Sequence, residues 1–250
     1  MNFVPIIKSG VTKLGNSSCQ MWSPDTNGIM SSIWLGFLAL SSNETKCVIP
    51  GSIQDTVKIN EDIPRHNDMS REMCNQIAAN MLSGMNISRG KFGNPIFPDG
   101  WIGSLSHSNS CACVIALNDK TGTIGVDVQC VRDPLKIDWR SRILTPRELQ
   151  DSESKFIDNL RMMDATVRFS VKESFFKAVS QIQNHRYIGF KEIEVFPCYG
   201  PVNDGSCIIN LCDSRLKVLE GRIKANYLVF QSPIDSMLYA MSCVQTQQNE

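Results

Sequence analysis

Strand-like runs are followed by a long helical pattern twice along this chain, and this order restricts the fold class more than any other feature of the sequence. Short apolar and β-branched runs lie within residues 19–51, and apolar residues then recur at helical spacing over Ser70–Ser83. Two further strand-like runs, at 110–117 and 122–129, precede a helical pattern over 164–182, and four more strand-like runs follow it. Because strands and helices occupy separate runs, we expect an α+β fold with two similar halves.

The two sets of elements meet near residue 118, so we divide the chain into halves of residues 1–118 and 119–250. The sequence has no long linker at that point and no internal repeat that would prove a duplication. The turn "NDKTG" (118–122) separates two alternating runs and predicts a hairpin between them. The Gly- and Pro-rich residues 88–103 predict a loop.

Capping residues mark the start of two helices. Ser70 precedes the first helical pattern and is predicted to be its N-cap. Thr145, Pro146 and Glu148 form the pattern of a capping box with proline at the first helical position. We therefore expect one helix to begin at each of these points.

Charge and hydropathy argue against several classes of protein. Lys+Arg and Asp+Glu both number 25, so the formal net charge is zero and predicts no bulk attraction to nucleic acid or an anionic membrane. The most apolar window, 29–40, has 12 residues, whereas a membrane-spanning helix needs about 20. The chain starts without the basic and apolar segments of an export signal, so we expect a cytoplasmic protein without a transmembrane segment.

Cysteine usage agrees with a reducing compartment. The ten cysteines have no regular spacing and only three histidines accompany them, so neither a disulfide framework nor a zinc site is expected. We expect reduced and mostly buried thiols.

The stretch "FSVKESFFKA" (169–178) has an apolar face and a charged face. Glu173 and Lys177 are four residues apart on a helix and are therefore neighbours. They are either a solvated ion pair on a surface helix or a functional pair. The opposite, core-facing side is predicted to contain Val171, Phe175, Ala178, Val179 and Ile182.

Asp127 lies inside the strand-like run "TIGVDVQ" (123–129), where aspartate is disfavoured. Gly125, Asp127 and Gln129 share one face of this strand, opposite an apolar face. Asp127 is either a cap of the following turn or a metal-binding carboxylate. In the second case, Gly125 would leave room for a closely approaching ligand.

The stretch "IGSLSHSNS" (102–110) is a third candidate. Serine hydroxyls and a histidine can bind a phosphate. Ser106 and His107 therefore belong either to a phosphate-binding turn or to a hydrated turn with an incidental histidine.

The order and spacing of these motifs resemble the signature of the 4′-phosphopantetheinyl transferases. "IGVD" (124–127) is followed after 41 residues by "FSVKESFFK" (169–177), which is similar to the two acidic motifs of that family. Upstream, "FGNPIFPDGWIGSLSH" (92–107) is similar to the family's Gly-x-Pro and Ser-x-Ser-His segment, and "ILTPRELQ" (143–150) fits the helix between the acidic motifs. The resemblance covers about residues 65–180. It is strongest to the monomeric, two-half members associated with surfactin, enterobactin and other siderophore or non-ribosomal peptide synthetases.

This resemblance implies a pseudo-twofold α+β fold with coenzyme A and Mg²⁺ in the cleft between the halves. It also implies transfer of phosphopantetheine from coenzyme A to a serine of an apo acyl, peptidyl or aryl carrier protein, with release of adenosine 3′,5′-bisphosphate. Siderophore, non-ribosomal peptide or polyketide biosynthesis is the expected context. Neither nucleic acid nor a membrane is an expected partner, and the protein is expected to be a monomer.

By motif position, the resemblance assigns Mg²⁺ to Asp127, Gln129 and Glu173. Mg²⁺ takes a few carboxylates together with phosphate oxygens and water, which fits this set. Glu173 is also the expected base for the carrier serine. Lys177 is the expected contact to the pyrophosphate of coenzyme A and stabilises the leaving phosphate.

The other assignments also concern coenzyme A. Ser106 and His107 match the turn that holds the nucleotide 3′-phosphate. Lys172 is expected to be either an additional phosphate contact or a structural ion pair. Arg65 and Arg71 lie where family members place basic residues for the phosphates, although no motif fixes their register.

Two positions depart from the family pattern. Gln129 stands where Glu is common, and its uncharged amide oxygen predicts weaker Mg²⁺ binding. Asn94 replaces a basic residue, which removes one phosphate contact and predicts weaker binding of coenzyme A.

Two other functions are compatible with these residues. Gln129 and Asn94 favour a non-catalytic homologue that binds carrier protein and coenzyme A. An unrelated Mg²⁺-dependent phosphohydrolase could use Asp127, Glu148 and Glu173, but it would leave the "GSLSH" turn unexplained.

Overall fold

The computed structural model of the chain describes residues 6–14, 17–24, 33–37, 39–40, 45–46, 66–83, 85–91, 93–109, 111–118, 122–131, 139–182, 188–199, 204–232 and 236–247. The α-helices within these ranges are α1 (His66–Met81), α2 (Arg140–Ile143), α3 (Pro146–Lys155) and α4 (Asp158–Val179). The strands of the first 120 residues are β1 (Ile6–Leu14), β2 (Ser17–Pro24), β3 (Trp34–Phe37), β4 (Ala39–Leu40), β5 (Thr45–Lys46), β6 (Ser88–Arg89), β7 (Pro95–Ile96), β8 (Ile102–Ser108) and β9 (Cys111–Leu117). The later strands are β10 (Gly122–Cys130), β11 (Ile193–Tyr199), β12 (Asp204–Leu211), β13 (Ile223–Gln231) and β14 (Leu238–Gln247).

The long strands form two antiparallel sheets of five strands each. The first sheet has the order β1-β2-β3-β9-β8, and the second has the order β10-β14-β13-β12-β11. On the first sheet, Met73 and Ile77 of α1 share a buried cluster with Val114 of β9. On the second sheet, Phe175 of α4 shares one with Val244 of β14. The predicted α+β fold, with one long helix on each of two sheets, is confirmed.

A single apolar core joins the two sheets. Its members come from β3 and β9 of the first sheet and from β10, β13 and β14 of the second, and they include Leu35, Ile115, Val126, Phe230 and Met241. Because this surface leaves water only when both sheets are present, each sheet contributes to the stability of the other.

The hairpin predicted at residues 118–122 is wrong. β9 pairs with β3 and β8, whereas β10 pairs with β14, so the chain passes from one sheet to the other between these strands. A turn-like sequence shows that the chain changes direction, but it does not show which strand lies alongside. The long-range pairing with β14 decides the position of β10.

The helix predicted over 164–182 is present but shifted. α4 begins six residues earlier, at Asp158, and ends at Val179. Val171, Phe175 and Val179 are fully buried, as predicted from the apolar face. Ile182 is 37% exposed, because it follows the end of the helix and does not belong to that face.

The other local predictions have mixed outcomes. Ser70 is not an N-cap, because α1 already begins at His66. The capping box at Thr145 is confirmed, with Glu148 Oε2 accepting the Thr145 N–H at 2.7 Å. The segment 88–103, predicted as a loop, contains the short paired strands β6 and β7 and the start of β8.

Eight cysteines have side chains that the structure describes; none of these eight forms a disulfide, and five of them are buried. Burial raises the pKa of Cys74 and of Cys243 to about 12, so these thiols carry little thiolate at neutral pH. In the part of the chain that the structure describes, no helix combines the length and hydropathy needed to cross a membrane.

Candidate active site

The Asp127 carboxylate is buried in the middle of β10, and Asp127 is 2% exposed. Ser106 Oγ and Lys177 Nζ each donate a hydrogen bond to Oδ1 at 2.7 Å, and Gln129 Nε2 donates to Oδ2 at 2.9 Å. A carboxylate has about four lone-pair positions, so the described donors leave one position on Oδ2 available. Since β10 continues to Cys130, Asp127 is an interior strand residue and not a cap of the following turn.

Gly125 lets the backbone of α4 lie directly against β10. A Cβ atom at this position would be 1.9 Å from the Ser174 carbonyl oxygen and 2.7 Å from the Ala178 nitrogen. The room beside Asp127 that a glycine was expected to leave for a ligand is therefore filled by the helix. Gly125 acts on the site by bringing α4 close.

Three buried serines bring the same helix close to β14. Ser242 Oγ shares hydrogen bonds with Ser170 Oγ at 2.9 Å and with Ser174 Oγ at 2.7 Å. Ser170 Oγ also donates to the Asp127 carbonyl oxygen at 3.2 Å. These contacts fix the distance between α4 and the second sheet. They therefore also fix the positions of the functional residues on α4.

Glu173 lies on α4, half-buried and within electrostatic reach of Asp127. Burial raises the pKa of Glu173 above its usual value, the neighbouring Asp127 raises it further, and Lys177 opposes both effects. Among the described residues, no side chain or backbone group forms a hydrogen bond with its carboxylate. Its oxygens are therefore available to a proton or a cation.

Lys177 lies one helical turn after Glu173, and its side chain is 29% exposed. Its ammonium donates to Asp127 Oδ1 at 2.7 Å and to the Val126 carbonyl oxygen at 3.1 Å. Burial lowers the pKa of Lys177, but the ion pair and hydrogen bond with Asp127 outweigh this effect and raise the pKa overall. Lys177 is therefore a cation at neutral pH.

Three alternate serines of β8 form a serine seam, Ser104, Ser106 and Ser108, along the edge of β10. The hydroxyl oxygens of Ser104 and Ser108 accept the backbone N–H groups of Val126 at 3.0 Å and Cys130 at 3.1 Å. Ser106 instead donates its hydroxyl proton to the Asp127 carboxylate. The seam joins the edges of the two sheets through side chains.

His107 is half-buried beside this seam. Ser106 and His107 are residues of the strand β8, so the turn predicted for them from the sequence is wrong. Burial lowers the pKa of His107 from its usual value, and the positive charges of Lys177, Arg71 and Arg89 lower it further, while Asp127 opposes them. The histidine therefore lies in a region of positive potential, which favours a bound anion.

Arg89 was not predicted as a functional residue. It lies on β6, where its guanidinium donates to the Gly93 carbonyl oxygen at 3.1 Å and to Asn75 Oδ1 at 3.2 Å. Its charge acts on both His107 and Cys74. The sequence feature that could have indicated a role for Arg89 is the basic pair in "RGK", at the start of the Gly- and Pro-rich segment.

Of the two predicted arginines, Arg71 is exposed on α1 and within electrostatic reach of His107. Arg65 lies outside the described residues. Asn94 is exposed next to β7.

Lys172 does not lie with Asp127 and Glu173. Its ammonium is 0% exposed and donates to Glu148 Oε2 at 2.7 Å. It also reaches the carbonyl oxygens of Ile143 at 3.1 Å, Phe190 at 2.7 Å and Ile193 at 3.0 Å.

This position agrees with one of the two roles expected for Lys172, the structural ion pair, and does not fit contact with a phosphate of coenzyme A. Burial lowers the pKa of Lys172, although the Glu148 charge opposes the shift. Because Glu148 is committed to this pair and to the Thr145 and Val195 N–H groups, it is not available as a third carboxylate beside Asp127 and Glu173. A phosphohydrolase site that uses Glu148 is therefore not supported.

The oxygen atoms available as ligands around Asp127 fit a magnesium ion. Mg²⁺ in proteins is commonly bound by one or two carboxylates, with water and substrate phosphates completing its octahedron. Asp127 Oδ2 and the Glu173 carboxylate supply that minimum. Gln129 adds a neutral oxygen, since its amide nitrogen is the atom that faces Asp127. No group of three or more His, Cys, Asp or Glu side chains suited to a metal occurs within the described ranges, so the set is sparse and a phosphate ligand would complete it.

Comparison with known proteins supports the resemblance at the level of a superfamily. Residues 123–217 match the model of the family described as ACPS, the 4′-phosphopantetheinyl transferase superfamily. The matched segment is a little over a third of the chain and contains Asp127, Glu173 and Lys177. No curated protein matches the chain significantly.

Two solved structures of Chronobacterium ammoniagenes ACPS show a weaker likeness. The apo form is 20% identical, with a TM-score of 0.34, and the match covers 50% of this chain and 97% of that chain. The complex of ACPS with CoA is 20% identical, with a TM-score of 0.38, and the match covers 52% of this chain and 100% of that chain. Neither likeness extends what the family match supports.

Proposed function

We propose that this chain is a 4′-phosphopantetheinyl transferase, which moves phosphopantetheine from coenzyme A to a serine hydroxyl of an apo acyl, peptidyl or aryl carrier protein. The observation that carries this proposal is the convergence of Asp127, Glu173 and Lys177. Two carboxylates and an ammonium meet where the two sheets adjoin, within the segment that matches the superfamily. The positive region around His107 lies next to them.

Asp127 and Glu173 would hold Mg²⁺, with Gln129 as a neutral third ligand. Bound there, the ion neutralises negative charge on the pyrophosphate of coenzyme A and favours attack on phosphorus. Lys177 adds a second positive charge next to Asp127. In the absence of metal, Lys177 also neutralises the Asp127 carboxylate.

Glu173 is proposed to accept the proton of the carrier serine. Its raised pKa makes it a stronger base than a solvated glutamate, and its oxygens have no competing hydrogen bond among the described residues. The serine oxygen forms a bond to the phosphorus that carries pantetheine. The bond from this phosphorus to the bridging oxygen breaks, and Lys177 stabilises the negative charge on the departing adenosine 3′,5′-bisphosphate.

The nucleotide 3′-phosphate is proposed to bind beside His107. Burial lowers the pKa of this histidine most, and the positive charges of Lys177, Arg71 and Arg89 lower it further. A phosphate bound there would offset that charge and so be favoured electrostatically. Arg89 would then take over part of the role that the family pattern gives to a basic residue at position 94.

Within this activity, we propose the monomeric, two-half type that serves siderophore, non-ribosomal peptide or polyketide synthesis. The presence of two five-stranded sheets with one long helix each in a single chain supports this type. Its expected place of action is the cytoplasm, where coenzyme A and apo carrier proteins are made. Apo carrier proteins of all three classes are therefore the substrates to test.

The test is incubation with coenzyme A, Mg²⁺ and each apo carrier protein, followed by measurement of the intact carrier mass. We expect one phosphopantetheine to be added to the carrier serine. Glu173→Gln removes the base and one metal ligand, so we expect its rate to fall by at least about 100-fold, while its circular dichroism spectrum stays unchanged. Glu153→Gln, an exposed glutamate of α3, is the matched control and should keep the wild-type rate.

Three results would contradict the proposal. Coenzyme A binding without transfer to any carrier would favour a non-catalytic binding homologue. Cleavage of coenzyme A without a carrier would favour a hydrolase. A near-normal rate for Glu173→Gln would remove Glu173 from the reaction.

A further inference from the structure

Of the three serines in the serine seam, Ser106 differs from the other two in its hydrogen-bond partner. Ser104 and Ser108 accept hydrogen bonds from backbone N–H groups of β10, and such contacts join the two strands without touching a functional side chain. Ser106 lies between them, and its hydroxyl reaches the Asp127 carboxylate at 2.7 Å. Ser106 and Asp127 are both buried, at 7% and 2% exposure.

Ser106 is therefore poorly placed to serve the nucleotide phosphate. A serine hydroxyl has one proton to donate, and in this structure the proton goes to a carboxylate. To donate to a phosphate instead, Ser106 would have to leave a buried acceptor with one hydrogen bond fewer, which costs about 1–3 kcal/mol. His107, the next residue, faces the positive region formed with Arg71 and Arg89 and needs no such exchange.

The position of the Ser106 hydroxyl matters because it occupies one of the two oxygens of the Asp127 carboxylate. Ser106 and Lys177 both bind Oδ1, and the available lone-pair position is on Oδ2. Gln129 is the donor to Oδ2, but it comes from the same strand as Asp127. Ser106 is the one described donor to Asp127 from the other sheet. It therefore fixes the rotation of the carboxylate relative to β8, the edge strand of that sheet.

We propose that Ser106 is a positioning residue for Asp127, holding Oδ1 so that Oδ2 is directed to the cation site, and that it is not a phosphate ligand. This inference rests on the proposed function, which places a divalent cation at Asp127. Hydrogen-bond partners of metal ligands generally orient them, and their removal costs about 10–100-fold in metal affinity.

The experiment measures Mn²⁺ binding directly, by electron paramagnetic resonance titration of the full chain without coenzyme A. Mn²⁺ is chosen because it prefers the same oxygen ligands as Mg²⁺. We expect Ser106→Ala to bind Mn²⁺ about 10-fold more weakly than the wild type. Ser104→Ala and Ser108→Ala, the matched controls, each remove a seam hydrogen bond that does not reach Asp127, and they should bind Mn²⁺ as the wild type does.

A second variant protects the test against misfolding. Ser106→Cys keeps the size of the side chain but is a weak hydrogen-bond donor, so we expect an affinity between those of the wild type and Ser106→Ala. Circular dichroism of each variant checks the fold. If Ser106→Ala does not fold, the Ser106→Cys measurement alone decides, and wild-type affinity in that variant overturns the proposal.

Binding of coenzyme A without metal, measured by calorimetry, separates the two roles of Ser106. We expect Ser106→Ala to bind coenzyme A as the wild type does. Unchanged Mn²⁺ affinity with weakened coenzyme A binding would overturn the proposal in favour of a phosphate contact, and unchanged values for both would leave Ser106 with the same joining role as its two neighbours. A wild-type chain that binds Mn²⁺ but transfers nothing contradicts the proposed function alone, whereas failure of the wild type to bind Mn²⁺ overturns this inference.

Discussion

Asp127 accepts hydrogen bonds from the hydroxyl of Ser106, the ammonium of Lys177 and the amide of Gln129. These donors belong to β8, α4 and β10, so three separate elements determine where the carboxylate points. A buried carboxylate without such partners would be strongly destabilising, because the charge has lost its hydration. The same donors that make the charge tolerable therefore also give it a fixed direction, which a metal ligand requires.

Position 129 offers a direct check on the cation site. Gln129→Glu places a second carboxylate where an amide now donates to Asp127 Oδ2 at 2.9 Å. Without metal the two carboxylates repel, and with Mg²⁺ the new carboxylate is a charged ligand. We expect a lower melting temperature than the wild type in EDTA and a larger rise on addition of Mg²⁺.

Gln181→Glu is the matched control for this prediction. Gln181 also donates through its amide, to the Ile124 carbonyl oxygen at 2.7 Å, but it is exposed at the end of α4. Its replacement should not change the response to Mg²⁺. Identical Mg²⁺ titrations for Gln129→Glu and the wild type would show that residue 129 is not a ligand.

His107 makes stability depend on pH in a definite direction. The folded protein lowers the pKa of His107 below its usual value of 6.5, so the unfolded chain binds a proton more readily. The stability linked to His107 is therefore complete above about pH 6.5 and is lost as the pH falls through the window below it. Burial is the main reason for the lowered pKa; Lys177, Arg71 and Arg89 also favour the neutral imidazole, and Asp127 opposes them.

Replacing His107 with Gln removes this titration. We expect the variant to lose less stability than the wild type when the pH is lowered from about 7.5 to about 5, as measured by urea unfolding at both values. An equal or larger loss in His107→Gln would show that the pKa of His107 is not lowered by folding.

At the scale of elements, the distance between α4 and β10 depends on one glycine. Gly125→Ala would place Cβ 1.9 Å from the Ser174 carbonyl oxygen, so the helix must move away from the strand. We expect a loss of about 3 kcal/mol in the free energy of unfolding, measured in urea, together with weaker Mn²⁺ binding, because Glu173 moves away from Asp127. Gly189→Ala is the control: its Cβ would meet Glu192 atoms no closer than 3.8 Å, so stability should change by less than about 0.5 kcal/mol.

The Lys172–Glu148 pair ties α4 to α3 and also to the turn before β11. Both side chains are 0% exposed, so Lys172→Met leaves a buried carboxylate without its counter-charge. We expect a loss of about 3–5 kcal/mol in the free energy of unfolding. In the fraction that remains folded, affinity for coenzyme A should not change, because Lys172 lies away from Asp127 and Glu173.

Lys155→Met tests the same chemistry on the surface. Lys155 pairs with Asp151 at 2.8 Å, but its side chain is 47% exposed, so we expect a loss of less than about 1 kcal/mol. A Lys172→Met variant that is no less stable than Lys155→Met would contradict the structural role of the buried pair. A selective loss of coenzyme A affinity in Lys172→Met would restore its assignment as a phosphate contact.

The sequence correctly predicted those elements that depend only on residues close together in the chain. The capping box of α3 and the apolar face of α4 follow from residues within a few positions of one another. The hairpin at 118–122 failed because β14, the partner of β10, lies more than a hundred residues later. A turn sequence contains no information about a partner at that distance.

The site residues also divide into those that the sequence predicts and those whose role depends on the folded structure. Asp127, Glu173 and Lys177 follow from motif spacing, and the structure brings these three together. Lys172 is adjacent to Glu173 in sequence, yet the rotation of about 100° per helical residue turns it into the core. The role of Arg89 depends on where the β6–β7 pair lies against α1, which the sequence alone does not reveal.

At the scale of the whole molecule, the site and the core share one junction. Ser106 from the first sheet contacts Asp127 from the second, and a common apolar cluster holds the same sheets together. Packing between the sheets therefore sets the geometry of the site. Substitutions in that core affect the site through the distance between β8 and β10 as well as through stability.

The pairing of β10 with β14 also has a consequence for synthesis. β14 lies at Leu238–Gln247, so β10 is made more than a hundred residues before its partner among the described strands. At ribosomal rates of about 5–20 residues per second, the strand that carries Asp127 waits on the order of ten seconds for that partner. During this interval its apolar face and open edge are exposed to chaperones and to other nascent chains. A polypeptide cut short before β14 would contain every residue of the site, but the strand that carries Asp127 would lack the partner with which it pairs.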